Sequence, residues 1–399
     1  MSMSTVEEII GTGFTDDART SHAPEGRYYT DPHVHQMELD RVFGYEWNYI
    51  CHQSQLPEAG SYMVRNVGGE SIYVIRGRDD EIRAFCNVCQ HRGHQLLEGQ
   101  GTVGKVVVCP YHAWSYSADG SLRGAPRMRD VPNFCKADVA LTSIRTELVG
   151  GFVFINLDED ARPLGEMAPR FEPILRSMVA EPEALRHVKT SGFDIAANWK
   201  VVTENFLEAY HVEFSGPAHR ALANIIDTDT YEFDISGRTI EYRAKGGAND
   251  ALPYQANQTD AFADAAGPPF HQVFLFPHMT FSIFPGTNML FVFNMAPNGV
   301  ERCDEEILYF TLDAEVTEPT AEAEAYVSEQ LNVEDVQLVE SVHRGLRSRG
   351  YRPGRFMVDE EQRASWSEQF VHHFNLLNIM ALERNRDIGR DTAPVEIES

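Results

Sequence analysis

The chain has 399 residues, enough for two packed domains, and 43% of them are hydrophobic, enough to fill their cores. Its 34 basic residues face 60 acidic ones for a formal net charge of −26, which would repel nucleic-acid phosphates. No 18-residue apolar run suggests a membrane span. The acidic start lacks the basic region of a secretory signal, and of the six cysteines Cys51, Cys86, Cys135 and Cys303 show no disulfide framework, as expected of a reducing cytoplasm.

Residues 1 to 27 are polar. Asp31-Pro32 opens a predicted helix that runs to Glu46, with Met37, Leu39, Val42 and Phe43 at apolar spacing. From Trp47 to about Leu157 the pattern is short strands and turns. Ser71 to Arg76 and Ile82 to Cys86 read as a hairpin, Lys105 to Cys109 as a strand, and Gly151 to Asn156 as the last strand. The charged, Pro-ended Asp158 to Pro163 is a candidate linker. Beyond it, Phe171 to Met178 reads as a short helix and Asn198 to Phe214 as a long one. Strands return at Thr230 to Ile235, Thr239 to Arg243, Val273 to Phe276, Thr280 to Phe284, Met289 to Met295 and Glu306 to Leu312. Residues 245 to 270 are rich in Gly, Ala, Asp and Pro and read as a substrate-entrance lid. Glu318 to Arg349 is helical, and Ser365 to Arg386 is a closing helix. A sheet wrapped by helices is an α+β domain. The expected division is 1–46 as a helical segment on the catalytic domain, 47–158 as a small all-β domain, and 159–399 as the catalytic domain.

The chemistry concentrates in residues 86 to 116, CNVCQHRGHQLLEGQGTVGKVVVCPYHAWSY. Cys89-x-His91 and Cys109-x-x-His112 are separated by 17 residues. Two thiolates and two imidazoles can hold tetrahedral zinc or a two-iron cluster. A zinc finger usually groups its thiols in one half and its imidazoles in the other, whereas here each half supplies one of each. That order suits a Rieske [2Fe–2S] centre, with a structural zinc knuckle as the alternative. Asp119-Gly120 marks a hairpin after the second loop. Cys86 and His94 read as bystanders.

The segments CQHRG, CPYHAW and, from Glu204 to His211, ENFLEAYH resemble the oxygenase (α) subunit of Rieske non-haem iron ring-hydroxylating and N-demethylating oxygenases. The resemblance covers nearly the whole chain. It implies a helix-grip catalytic domain, a mononuclear Fe(II), and a homotrimer. It also implies electrons from NAD(P)H, passed by a separate flavin/iron–sulfur reductase or a ferredoxin.

An oxygen-activating iron takes two histidines and one carboxylate on one side. On the predicted helix Asn198 to Phe214, Glu204, Glu208 and His211 fall at i, i+4, i+7 and share a face. His211 is the first expected ligand. The resemblance places the second about five residues on, where this chain has Gly216. The next histidine, His219, lies eight residues on, roughly 12 Å along an unbroken helix. Ser215-Gly216-Pro217 breaks the helix and can fold His219 back; His271 and His278 are the alternatives. The third ligand is expected on the helix around Asn332 to Glu340. There Val333, Val336, Val339 and Val342 form a stripe, Asp335 leans to the buried side, and Glu334 points away. Asp335 is the expected carboxylate, and Glu340 a solvated acid. The resemblance also assigns Glu208 a bridge to His112 of the partner subunit. Glu204 and Asn205 are expected to support the iron shell.

The expected activity is hydroxylation of a small organic substrate with O2. The stretch EDVQLVESVHRGLRSRGYRPGR, Glu334 to Arg355, resembles the betaine- and choline-oxidising branch. It favours a methylated or quaternary amine, with an aromatic acid as the second reading. Phe274, Phe276, Phe281, Phe284, Phe291 and Phe293 offer alternate inward faces for a π-lined cage. Two readings from other classes are a Rieske electron carrier with a degenerate second domain, and a zinc-stapled binding protein.

Overall fold

The computed structural model describes residues 6–246, 253–256 and 269–384. The chain divides into two compact units, one of residues 43–164 and one of residues 1–42 with 165–399. The edges expected at 46 and 158 lie a few residues from these. No described helix is long and apolar enough to cross a membrane.

The smaller unit is all-β. Its larger sheet has the order β1-β10-β9-β4-β3-β2-β5. The strands are β1 (Asn48–His52), β2 (Ser61–Val67), β3 (Glu70–Arg76), β4 (Ile82–Cys86) and β5 (Gln100–Thr102). A three-stranded sheet follows, of β6 (Val107–Val108), β7 (Ser115–Tyr116) and β8 (Leu122–Gly124), before β9 (Ser143–Val149) and β10 (Phe152–Asn156) return to the first. Gly68 and Gly69, at φ 58° and 82°, form the two-residue link between paired Val67 and Glu70. Positive φ at both positions is what a tight hairpin with native twist requires. The hairpin of β3 with β4 pairs as the pattern predicts, whereas the strand expected over Lys105 to Cys109 shrinks to two residues. Phe85, Leu96, Trp114, Tyr116 and Leu122 form a core that encloses Cys89 and Cys109.

The larger unit is a seven-stranded antiparallel sheet with helices, ordered β11-β17-β16-β15-β14-β13-β12. The strands are β11 (Arg186–Ile195), β12 (Ile226–Ser236), β13 (Thr239–Gly246), β14 (Pro269–Leu275), β15 (Met279–Ile283), β16 (Leu290–Pro297) and β17 (Cys303–Thr311). The helices are α1 (Val6–Ile10), α2 (Gly26–Thr30), α3 (Pro32–Glu38), α4 (Leu164–Met167, at the unit boundary), α5 (Phe171–Met178), α6 (Trp199–Phe206), α7 (Pro217–Ile225), α8 (Glu318–Ala325), α9 (Asn332–Leu346) and α10 (Gln369–Leu382). Together the two units have the α+β, helix-and-sheet architecture that the sequence predicts. Strand β11 escapes the pattern because it is a half-exposed edge, and its residues RHVKTSGFDI lack an apolar run. The predicted lid, 245–270, lies mostly outside the described residues.

The predicted helix Asn198 to Phe214 ends at Phe206. Asn198 caps its start through Lys200 N–H, as an N-cap should. Past Leu207 the Glu208 carboxylate accepts the backbone N–H of His211 at 3.0 Å, displacing a helical hydrogen bond. The chain then runs through single turns until Pro217 opens α7.

Candidate active site

In the all-β unit the two cysteine loops are built alike. Cys89 N–H donates to His94 O and Gly93 N–H to Cys89 O; Cys109 N–H donates to Trp114 O and Ala113 N–H to Cys109 O. Gly93 and Ala113 sit at the same position of the two loops, with φ 74° and 57°. Both cysteines are buried, 2% exposed, while His91 and His112 face solvent. The two imidazole centroids are 4.7 Å apart, and His91 stacks on Trp114 at 4.7 Å. Imidazoles bound at ~2.1 Å to one iron carry their centres about 4–5 Å from each other, so the donor set fits a [2Fe–2S] group with its histidine iron outward. The Tyr116 hydroxyl lies 3.3 Å from Cys89 Sγ and accepts from Gln90 N–H at 3.1 Å. Cys86 is the last residue of β4.

In the catalytic unit, His211 comes from the turns after α6, His219 from the first turn of α7, and Asp335 from the first turn of α9. One donor atom from each lies within 4.8 Å of the other two. Asp335 Oδ1 is 3.5 Å from His211 Nε2 and 3.0 Å from His219 Nε2. Neighbouring ligands of one metal, each bound at ~2.1 Å, stand roughly 3 Å apart, so the trio fits an Fe(II) site with an open side. Each Nε2 is free to face a metal because each Nδ1 is already taken. Glu208 Oε1 holds His211 Nδ1, and Glu334 Oε2 holds His219 Nδ1 at 2.8 Å. Asn205 Nδ2 donates to Asp335 Oδ1 at 2.7 Å. Burial works against protonating His211, but Asp335 and Glu208 outweigh it and hold its pKa up at about 10.

Several expectations are corrected. Glu204, Glu208 and His211 do not share one helix face, since α6 ends before Glu208. Glu204 instead accepts from Tyr29 and Asn375, each at 2.9 Å, and does not line the cavity below. Glu334 does not point away: it reaches His219. Finally, the valine stripe is not the buried stripe of α9. Val333 and Val342 are exposed, and Asn332, Asp335, Val339 and His343 are buried. Glu340 is half-buried rather than fully solvated and accepts from Ala196 N–H at 3.1 Å. The alternative ligands lie elsewhere. His271 pairs with Glu241 at 2.8 Å, and His278 is buried, with its pKa pushed down to about 4 by desolvation.

A cavity of about 370 Å³ opens from the His211, His219, Asp335 trio. Phe206, Tyr242, Phe270, Phe284 and Phe293 wall it, and Tyr210, Phe214 and Trp366 stand exposed along it. Of the six predicted phenylalanines, only Phe284 and Phe293 line it. Phe274 and Phe276 pack on Phe374, Phe281 on Phe171, and Phe291 on Tyr309. The strands are covered on both faces, so alternation alone does not say which face meets the cavity. Among the described residues, Glu208, Glu213 and Asp335 line it and no lysine or arginine does.

The family model of the ring hydroxylating alpha subunit (catalytic domain) matches residues 182–377, and that of the Rieske [2Fe-2S] domain matches residues 46–135. The carnitine monooxygenase oxygenase subunit of Acinetobacter pittii is 35% identical over 88% of this chain and 92% of its own. The chloroplastic choline monooxygenase of Atriplex hortensis is 29% identical over 90% of this chain and 77% of its own. The solved structure of a quaternary ammonium Rieske monooxygenase, described with carnitine oxidation and inter-subunit electron transfer, superposes with a TM-score of 0.83. It is 31% identical over 93% of this chain and 98% of its own.

Proposed function

This chain belongs to the Rieske-type ring-hydroxylating oxygenase family, and from that premise we propose that it hydroxylates a methylated, quaternary ammonium substrate at a carbon beside nitrogen. It is a Rieske non-haem iron oxygenase. The reaction inserts one oxygen atom of O2 into a C–H bond and reduces the other to water with two electrons and two protons. When bound, the cluster supplies single electrons and the ferrous ion supplies oxygen activation; the protein supplies ligation, positioning and a dry pocket.

The observation that carries the substrate class is the charge of the cavity. Its lining offers carboxylates and aromatic faces and, among the described residues, no lysine or arginine. An aromatic acid would find no lysine or arginine there to pair with its carboxylate, the fork or ammonium that a buried carboxylate ordinarily needs. A trimethylammonium group is instead favoured by ring faces and by the acidic surface around it. The relatives whose names specify carnitine and choline agree with this reading.

In this reading Cys89, His91, Cys109 and His112 hold the cluster, and His211, His219 and Asp335 hold the iron. Glu208, which already fixes His211, bridges to His112 of the partner subunit within a homotrimer. A separate reductase feeds NAD(P)H electrons in the cytoplasm. The test is O2 uptake and aldehyde or formaldehyde release by the iron-loaded protein with a reductase. Choline, carnitine and betaines should be consumed and benzoate should not; benzoate turnover with inert ammonium compounds would refute the assignment.

A further inference from the structure

Resting on the ferrous-site reading above, we infer that Glu334 is the positioning residue that makes His219 a ligand, and that the missing side chain at Gly216 is what lets it do so. The spacing from His211 to His219 is eight residues, and Gly216 stands where the resemblance would put a histidine. The chain reaches His219 by starting a new helix, α7, at Pro217. The first N–H groups of a helix have no partner within it. Glu334 supplies one: its Oε1 accepts from Ala218 N–H at 3.0 Å and its Oε2 from His219 N–H at 3.1 Å. The same Oε2 takes His219 Nδ1 at 2.8 Å, while the next residue, Asp335, stands 3.0 Å from Nε2. Two consecutive carboxylates of α9 thus grip the two nitrogens of one ring. A carboxylate on Nδ1 keeps the proton there and leaves the Nε2 lone pair for a metal.

Gly216 is not required by its backbone, since φ −66° and ψ −177° are open to other residues. It is required by space. A Cβ built there would lie 2.1 Å from both Cδ and Oε1 of Glu334, so any side chain evicts the carboxylate. The arrangement repeats that of Glu208, which also accepts the N–H and Nδ1 of a single histidine, His211. Glu334 differs in coming from a separate helix over a hundred residues away, so it ties α7 to α9. It acts on metal retention, not on the path of electrons.

The test is anaerobic Fe(II) titration against a competing chelator for wild type, Glu334→Gln, Gly216→Ala, Glu334→Ala and the Gly216→Ala/Glu334→Ala pair. Melting temperature and cluster absorbance are read beside it. Glu334→Gln removes the negative charge from Nδ1 and leaves one acceptor oxygen where the carboxylate used two for Ala218 N–H, His219 N–H and His219 Nδ1. Fe(II) affinity should then fall about 10- to 100-fold with melting and cluster spectrum kept. Gly216→Ala should lose as much as Glu334→Ala, and the pair no more than either, because both remove one contact. Glu334→Gln binding iron within twofold of wild type would make Glu334 a helix cap only and overturn the inference, as would additive losses in the pair. Wild type that takes up no Fe(II) beyond the cluster overturns the ferrous-site reading itself, and this inference with it.

Discussion

Glu204→Gln separates a structural acid from an iron-shell one. Glu204 is largely enclosed, and burial raises its pKa from 4.5 to about 7, against the hydrogen bonds from Asn375 and Tyr29. Below pH 4.5 the carboxyl is protonated in both the folded and unfolded chain and contributes no pH dependence. Between 4.5 and 7 the unfolded chain releases the proton and the fold retains it, so stability falls as pH rises, then levels off. At ~1.4 kcal/mol per tenfold change, ionising Glu204 in the fold costs at most about 3 kcal/mol more than in the unfolded chain. Glutamine imitates the neutral acid and does not titrate. At roughly 2 °C per kcal/mol for a unit of this size, the variant should match wild type near pH 4.5 and melt about 5 °C higher by pH 8. Calorimetric scans at one scan rate from pH 4.5 to 8 read the gap, and chelator competition reads iron. A gap that does not change with pH would refute the titration argument. Loss of Fe(II) with the gap absent would restore Glu204 to the iron shell.

With saturating Fe(II), Glu208→Ala should retain the cluster spectrum and lose at least about 100-fold in turnover; activity within twofold of wild type would remove the inter-subunit bridge. His219→Ala should empty the mononuclear site and leave the cluster absorbance untouched, so retained iron would disqualify His219. Tyr116→Phe removes the hydroxyl 3.3 Å from Cys89 Sγ, which should lower the cluster's reduction potential because that contact favours the more negative, reduced form; an unchanged midpoint in a redox titration would discount it. Lys200 and Glu38 pair with both side chains 0% exposed. Lys200→Met should therefore destabilise the catalytic unit by about 3–5 kcal/mol, and denaturant unfolding that shows less than 1 kcal/mol would mean that Glu38 is neutral without its partner.

The candidate cluster residues Cys89, His91, Cys109 and His112 were legible as a set because they lie within one short stretch. Alternating Cys and His in two loops is a local pattern, and the chain between them needs no distant contact to be recognised. That His219 folds back beside His211 was legible for a related reason: Gly216-Pro217 is a local break whatever surrounds it. Glu334 and Asp335 were a harder choice. Both lie in the first turn of α9; the valine stripe put Asp335 on the buried side beside Val339, but Val333 and Val342 are exposed and Glu334 also turns inward to His219. That face is decided by α6 and α7 packing against α9, where Asn205 meets Asp335 and the bare backbone at Gly216 admits Glu334.

The sequence by itself determined the metal chemistry, the two-domain order and most strand positions, because ligand spacing, turn residues and apolar period act over a few neighbours. Only the tertiary structure decided where the helix through ENFLEAYH stops, which carboxylate holds which histidine, and which phenylalanines face the cavity. Those choices depend on groups far apart in the chain competing for the same hydrogen bonds and the same space, and that competition has no local signature.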